Sequence, residues 1–203
     1  MPGGMLREVI AIRFLTLEQT GNRYTGGLEN QAFSSFLHVC LQYADTFSLS
    51  KTIPDGYEDV PGALEIQLQP YRLGTIHPKK WYGYPTITQN TVQMIYSCCP
   101  ASMELLDYCY RDIYLRQRNK LSHPTMDTIG TKPKWRGKPE DLCFWKQKRL
   151  ILGTVTHETI CTTGLIEDGF AEELLKLASW KVTDIPMHSI PDISYEISCE
   201  MLK

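Results

Sequence analysis

Residues 141–155 read DLCFWKQKRLILGTV, and this stretch decides the fold class. Two apolar runs, residues 141–145 and 150–155, flank the polar and basic residues 146–149. Short runs rich in aromatic and β-branched side chains on either side of a short turn are typical of a β-hairpin. Because a hairpin is an antiparallel pair, we expect an α+β fold with a mixed or mainly antiparallel sheet rather than a doubly wound parallel sheet.

Strand and helix patterns alternate irregularly around this hairpin. Runs rich in β-branched and apolar residues predict four more strands, at residues 6–15, 63–68, 91–98 and 160–165. Apolar side chains at three- and four-residue steps predict three helices, at residues 33–47, from Pro100 to a point before Pro124, and at 170–177. The proline- and glycine-rich residues 70–90 are expected to form an ordered loop.

The predicted architecture is one α+β domain over residues 1–203. We expect about five or six strands, with about three helices packed on them. Residues 1–5 are interpreted as a leader or ragged start, and residues 182–203 as an extended C-terminal tail.

The composition is that of an ordinary globular protein. The chain has 203 residues, of which 42% are hydrophobic and 22% charged, and its formal net charge is -2. These values exclude a disordered tail, a collagen-like fibre and a disulfide miniprotein. The sequence also lacks the glycine-rich GxGxxG and GxxxxGK[ST] motifs, so we do not expect a nucleotide enzyme of the common kinds.

Cysteine usage indicates a reducing compartment. The seven cysteines are odd in number and form no CxxC pair, so we expect free thiols, no zinc site and no cofactor. Arg7, Glu8 and Arg13 interrupt the N-terminal apolar residues, which therefore do not resemble a secretion signal. The sequence contains no apolar stretch of membrane-spanning length. We therefore expect a cytoplasmic protein with no membrane partner. The sequence does not predict its oligomeric state.

The balanced total charge conceals an asymmetry. Residues 111–149 contain eleven Lys and Arg against four acids, a formal +7, whereas residues 150–203 contain three lysines against nine acids, a formal -6. Three interpretations remain open: a solvated face paired with the chain's own acidic C-terminal third, a surface for an acidic protein, and a nucleic-acid surface. The candidate binding residues in this stretch are Lys132, Lys134, Trp135, Arg136 and Lys138.

A second candidate binding segment spans residues 74–85, GTIHPKKWYGYP. Aromatic side chains on a restricted backbone supply contact area at a small entropy cost. The alternative is a loop pinned to the core by Trp81. The candidate residues in this segment are His77, Lys79, Lys80, Trp81 and Tyr82.

Residues 118–123 read RNKLSH, with Arg118, Asn119 and His123 at the spacing RNxxxH. This short motif resembles that of HEPN-type ribonucleases. The resemblance implies that Arg118 and His123 lie on a helix, meet their copies across a dimer and cleave RNA by acid–base chemistry without a metal. HEPN domains are all-helical, whereas strands are predicted on both sides of this segment. The alternative is a basic helix end, where Lys120 and His123 interact favourably with the helix dipole.

His157 is a candidate catalytic residue for a small hydrolase. It follows the second hairpin strand, where neighbouring side chains point to opposite faces, so we expect no contact with Glu158. His157 and Cys161 share a face but would be about 13 Å apart, beyond the ~3 Å of a nucleophile and its base. Only a bulge or tight turn would bring the two together. The alternative is a hydrogen-bonded sheet histidine.

Residues 141–158 also resemble parts of small cytosolic bacterial proteins, although no family motif accompanies this likeness. The combined patterns favour a soluble, non-catalytic protein that binds another macromolecule, in the manner of an immunity or adaptor protein. The expected partner is a protein with an acidic surface. The alternatives are an RNA-binding protein or metal-independent ribonuclease, and a small hydrolase.

Overall fold

The predicted hairpin lies near the middle of a large sheet in the computed structural model, which describes residues 11–18, 28–77, 91–119, 133–163 and 169–186. In chain order the strands are β1 (Ala11–Leu17), β2 (Thr46–Thr52), β3 (Glu58–Asp59), β4 (Arg72–Ile76), β5 (Thr91–Ser97), β6 (Lys134–Trp135), β7 (Glu140–Lys146), β8 (Arg149–Val155), β9 (Ile160–Thr163) and β10 (Trp180–Pro186). The helices are α1 (Gln31–Tyr43), α2 (Ala63–Leu68), α3 (Pro100–Cys109) and α4 (Phe170–Leu177).

Eight strands form one antiparallel sheet in the order β10-β1-β9-β8-β7-β2-β5-β4. The short strands β3 and β6 form a separate parallel pair. The hairpin turns at Gln147 and Lys148, whose φ angles of 48° and 67° are those of a type I′ turn. The α+β class and the antiparallel sheet are confirmed, but the expected counts of strands and helices are too low.

Aromatic side chains fill the core between the helices and the central strands. Phe36 of α1 meets Phe144 of β7 edge-on, with ring centroids 5.7 Å apart. Phe47 of β2 lies between Phe144, at 6.2 Å, and Tyr96 of β5, at 5.2 Å. All four side chains are fully buried. Since burying one such ring contributes about 1.5–3 kcal/mol, this cluster fixes α1 on the sheet.

Residues 63–68 form helix α2, so the prediction of a strand there is wrong. The Glu65 carboxylate accepts the Gly62 N–H at 2.7 Å, which satisfies a backbone donor at the start of the helix. Leu64 and Leu68 are buried, whereas Ile66 is exposed. The two buried leucines are four residues apart, which is the spacing of one helix face. The two-residue alternation of Leu64, Ile66 and Leu68, which predicted a strand, does not match the observed burial.

Helix α3 begins at Pro100 as predicted but ends at Cys109, well before Pro124. The Asp112 carboxylate accepts the N–H groups of Tyr114 at 2.9 Å and Arg116 at 3.3 Å. A side chain that captures nearby backbone donors competes with the helix for them. The chain therefore turns after α3, and Tyr110 pairs with Gln117 in a β-bridge.

The first residues of the segment predicted as a C-terminal tail belong to the sheet. Residues 180–186 form β10, which pairs with the whole of β1 at one edge of the sheet. Part of the expected loop at 70–90 is likewise strand β4. The one-domain boundary at 1–203 and the leader at 1–5 stay predictions, because residues 1–10 and 187–203 lie outside the described residues.

Asp141 is expected to tolerate replacement by asparagine but not by alanine. Its φ is 53°, and its carboxylate accepts the Thr156 N–H at 2.7 Å and the Ser50 hydroxyl at 3.1 Å. Asp141→Ala removes both hydrogen bonds and should cost about 2 kcal/mol of unfolding free energy in urea titrations. Asp141→Asn keeps an acceptor and tolerates positive φ, so it should cost less than half as much. Equal losses in the two variants would contradict this role.

The stability difference between wild type and Asp141→Asn should also depend on pH. Burial raises the pKa of the Asp141 carboxyl, although the Thr156 and Ser50 hydrogen bonds and nearby His157 oppose the shift. The folded state then holds a proton that the unfolded state releases, so wild-type stability falls as pH rises from the unfolded pKa towards the raised folded one. Asp141→Asn should gain relative to wild type over this acidic window. A constant difference from pH 3 to pH 7 would contradict the expectation.

Candidate binding surface

A fully buried lysine organises one end of the sheet. Lys51 of β2 is 1% exposed, and its ammonium lies 2.5 Å from an Asp59 oxygen and 3.1 Å from a Glu65 oxygen. It also donates to the Val60 carbonyl at 3.1 Å. A buried ammonium is tolerated only when it is paired and hydrogen-bonded, and these three acceptors match its three donors. We call Lys51, Asp59, Val60 and Glu65 the Lys51 cluster.

The Lys51 cluster joins three parts of the chain. Lys51 lies on a central strand, Asp59 on β3, and Glu65 on α2. Glu65 is 4% exposed, and its carboxylate serves both the ammonium and the Gly62 N–H. Removing the Lys51 ammonium would leave the buried Glu65 carboxylate without its cation.

The segment 133–139 docks against this cluster. The Glu58 and Val60 N–H groups donate to the Pro133 and Trp135 carbonyls, both at 2.9 Å. The Trp135 indole N–H donates to the Thr52 carbonyl at 2.9 Å. Gly137 packs closely here, since a Cβ at this position would lie 3.1 Å from Lys51 Cγ and 2.7 Å from Trp135 Nε1.

Exposed aromatic rings and cations lie together on this docked segment and the adjoining loop. Tyr57 and Trp135 are 44% and 37% exposed, and their rings meet edge-on at 6.0 Å. Lys134, Arg136 and Lys138 form no ion pair within the described ranges of the chain. We call these five residues the basic–aromatic surface.

Other cations of the basic stretch are neutralised within the chain. Arg116 pairs with Asp112 at 2.5 Å and with Glu29 at 2.9 Å. Arg118 lies 3.7 Å from Asp107. These partners belong to segments before or within the basic stretch.

A pocket of about 420 Å³ adjoins the basic–aromatic surface. Arg136, Lys138, Gln117 and Asn119 contribute its polar lining. Its remaining walls come from the start of α2 and the end of α3, and include Ala63, Leu64, Glu65, Cys109 and Tyr110. Burial raises the pKa of the Cys109 thiol to about 11, so this group is neutral at physiological pH and is not an activated nucleophile.

The structure brings together four of the predicted binding residues, Lys134, Trp135, Arg136 and Lys138. His77, at the end of β4, is exposed and lines a shallow depression with Tyr57 of the basic–aromatic surface. The other predicted binding residues, Lys79, Lys80, Trp81, Tyr82 and Lys132, lie outside the described residues.

Two of the predicted catalytic residues are described. Arg118 lies beyond the end of α3, not on a helix, and its backbone N–H donates to the Cys109 carbonyl at 2.7 Å. His157 lies in a one-turn 3₁₀ segment between β8 and β9 and is exposed. Cys161 is fully buried in β9, and desolvation raises the pKa of its thiol well above the usual value. His123 lies outside the described residues.

Several residues of the site were not among the sequence predictions, including Lys51, Tyr57, Asp59, Glu65 and Tyr110. Lys51 follows Phe47 and Leu49 at two-residue steps in the run TFSLSKT, so it shares the apolar face of the strand. Its burial depends on two acids from distant segments, which local periodicity does not show. A lysine inside an otherwise strand-like run, followed by acids at 59 and 65, is the only signal that the sequence offers.

Comparisons of the chain with protein-family models, curated proteins and solved structures find no match. The described residues contain no group of three or more His, Cys, Asp or Glu side chains placed to hold a metal ion. Within the same ranges, none of the helices has the length and apolar composition of a membrane span.

Lys51→Met is expected to lower the unfolding free energy by about 3–5 kcal/mol, because it leaves the buried Glu65 carboxylate without its cation. The double variant Lys51→Met/Glu65→Gln should be more stable than Lys51→Met alone. The glutamine amide carries no charge, yet its oxygen can still accept the Gly62 N–H. Urea titration of the two single variants and the double variant measures the coupling. Strictly additive losses would show that the two side chains do not interact as described.

Proposed function

We propose that this protein is a non-catalytic binding protein whose basic–aromatic surface accepts an acidic segment of another protein. One observation carries the proposal: Lys134, Arg136 and Lys138 are unpaired within the described chain and lie beside two exposed aromatic rings. An adaptor or an immunity-like inhibitor is the role that such a surface suits.

Unpaired cations favour binding because no internal ion pair has to break first. Each charge-assisted hydrogen bond to a carboxylate is stronger than a neutral one. Arg136 and Lys138 stand on a backbone held by Trp135 and Gly137, so little additional order is required of that segment on binding.

The exposed rings supply the apolar part of the interface. Tyrosine, tryptophan and arginine are the residue types most often found at the energetic centre of protein interfaces. The Trp135 ring is fixed by its hydrogen bond to the Thr52 carbonyl and by its edge-on contact with Tyr57. A partner residue that covers these rings gains contact area without immobilising them.

Charge favours a short acidic segment over a nucleic-acid backbone. The whole chain is formally -2, with a sequence pI of about 6.2, and so offers no general attraction for a polyanion. Three local cations complement a few carboxylates. RNA binding, and RNA cleavage by Arg118 and His123, are outcomes that the following experiment also measures.

The double variant Arg136→Gln/Lys138→Gln should weaken binding of a fluorescein-labelled peptide rich in glutamate and phenylalanine. A loss of about tenfold or more is expected, since one good charge-assisted contact contributes roughly that factor. Arg149→Gln/Lys181→Gln is the matched control. It changes the net charge equally at exposed cations in β8 and β10 that form no ion pair among the described residues. Fluorescence anisotropy at constant salt measures both affinities.

A labelled single-stranded RNA of similar length and charge serves as the competing probe. Preference for RNA over the peptide would overturn the protein-partner proposal, and RNA cleavage that depends on His123 would favour the ribonuclease alternative. Equal losses of peptide affinity in the test and control variants would show that only net charge matters. Absence of peptide binding by the wild type would contradict the proposal as well.

A further inference from the structure

The pocket beside the basic–aromatic surface has the size of a small-molecule site. Its volume of about 420 Å³ lies within the roughly 300–1,000 Å³ typical of ligand pockets. Its walls belong to α2, the end of α3 and the docked segment 133–139, so secondary structure and the Lys51 cluster hold them in place. Arg136 and Lys138 belong both to this pocket and to the neighbouring basic–aromatic surface.

A tyrosine side chain with an available hydroxyl lines this pocket. Tyr110 is 5% exposed, and its hydroxyl forms no hydrogen bond with the residues that the structure describes. Its backbone, by contrast, is fully engaged, with the N–H bonded to the Leu106 carbonyl at 2.9 Å and a bridge to Gln117. Because this hydroxyl has no partner among the described residues, it can donate a hydrogen bond to an acceptor on a bound ligand.

The pocket is electropositive. Among the described residues that line it, Glu65 is the acid, and its carboxylate forms an ion pair with the Lys51 ammonium. Arg136 and Lys138 also line the pocket and have no acid partner in the described ranges. An anionic group is therefore favoured beside these two cations.

The inner walls are apolar or neutral. Ala63 and Leu64 contribute aliphatic surface, and the Cys109 thiol stays protonated because burial raises its pKa to about 11. A protonated buried cysteine behaves as a small apolar group. These walls suit an uncharged hydrocarbon or aromatic body.

We propose that this pocket binds a small amphipathic carboxylic acid, with its carboxylate on Arg136 and Lys138 and its apolar body against Ala63, Leu64 and Cys109. The Tyr110 hydroxyl donates to a neutral acceptor, such as an amide or keto oxygen, carried by that body. Three groups of the ligand thus meet three regions of one cavity, which sets this site apart from a surface that attracts any anion.

N-acetyl-L-phenylalanine is the probe, because it combines a carboxylate, an amide oxygen and an apolar ring. Its C-terminal amide is the matched neutral probe. Titration by protein-observed NMR, with isothermal calorimetry where the affinity permits, should show the acid binding at least about tenfold more tightly than the amide.

A comparison of the same acid with a longer peptide that ends in phenylalanine tests whether a peptide C-terminus can occupy the pocket. Tighter binding of the longer peptide would assign the carboxylate to a partner chain, and equal or weaker binding would assign it to a free metabolite.

Tyr110→Phe separates this site from the basic–aromatic surface. The variant removes a hydroxyl that makes no internal hydrogen bond, so its thermal stability should match or exceed that of the wild type. Its affinity for N-acetyl-L-phenylalanine should fall about fivefold, the effect of one neutral hydrogen bond. Tyr108→Phe is the matched control, because Tyr108 lies on α3 outside the pocket lining and is mostly exposed.

Arg136→Gln should lower the affinity for N-acetyl-L-phenylalanine by about tenfold. The affinity for the neutral amide should stay nearly unchanged. The inference is overturned if the wild type binds neither probe at concentrations up to about 5 mM. It is also overturned if acid and amide bind equally, or if Tyr110→Phe and Tyr108→Phe have the same affinity. Failure of acidic-peptide binding with these probes still bound would overturn the proposed function alone.

Discussion

A lysine ammonium buried in a protein must find acceptors for all its hydrogens, and this requirement shapes one end of the fold. Lys51 meets it with Asp59, the Val60 carbonyl and Glu65. The acceptors come from β3, the residue after it and α2, so the chain after β2 must wrap around one side chain. Since an unpaired buried charge costs several kcal/mol, the cluster acts as a single unit.

The same cluster explains why the neighbouring cations are unpaired. Lys51 engages both Asp59 of the small β-pair and Glu65 of the pocket lining. Arg136 and Lys138 are left without internal partners, whereas Arg116 and Arg118 pair with acids from other segments. A chain that is nearly neutral overall therefore presents a locally basic surface.

The sequence predicted the elements that depend on local patterning. The hairpin of β7 and β8, strand β5, and the starts of α1 and α3 follow from apolar periodicity and from Pro100. Strand β2 was hidden because Phe47 continues the apolar spacing of α1. Helix α2 was misread because its cap depends on Glu65, whose position is set by Lys51.

Composition located part of the site, namely Lys134, Trp135, Arg136 and Lys138, without showing which cations would be unpaired. That property depends on Asp107, Asp112 and Glu29, which reach Arg116 and Arg118 through tertiary contacts. The pocket was equally out of reach, because it exists only where α3 ends early and Tyr110 turns inward. Long-range ion pairs and a local helix stop, rather than propensity, account for the difference.

Amide hydrogen exchange tests most directly whether the Lys51 cluster holds the binding surface in place. The Glu58 and Val60 amides donate to the docked segment. Gly153, which pairs with Cys143 in the central sheet, serves as the reference position. In the Lys51→Met/Glu65→Gln variant, the Glu58 and Val60 amides should exchange at least about tenfold faster than in the wild type, with central-sheet protection retained. Unchanged protection at Glu58 and Val60 would show that the segment docks without the buried lysine, and would contradict the account.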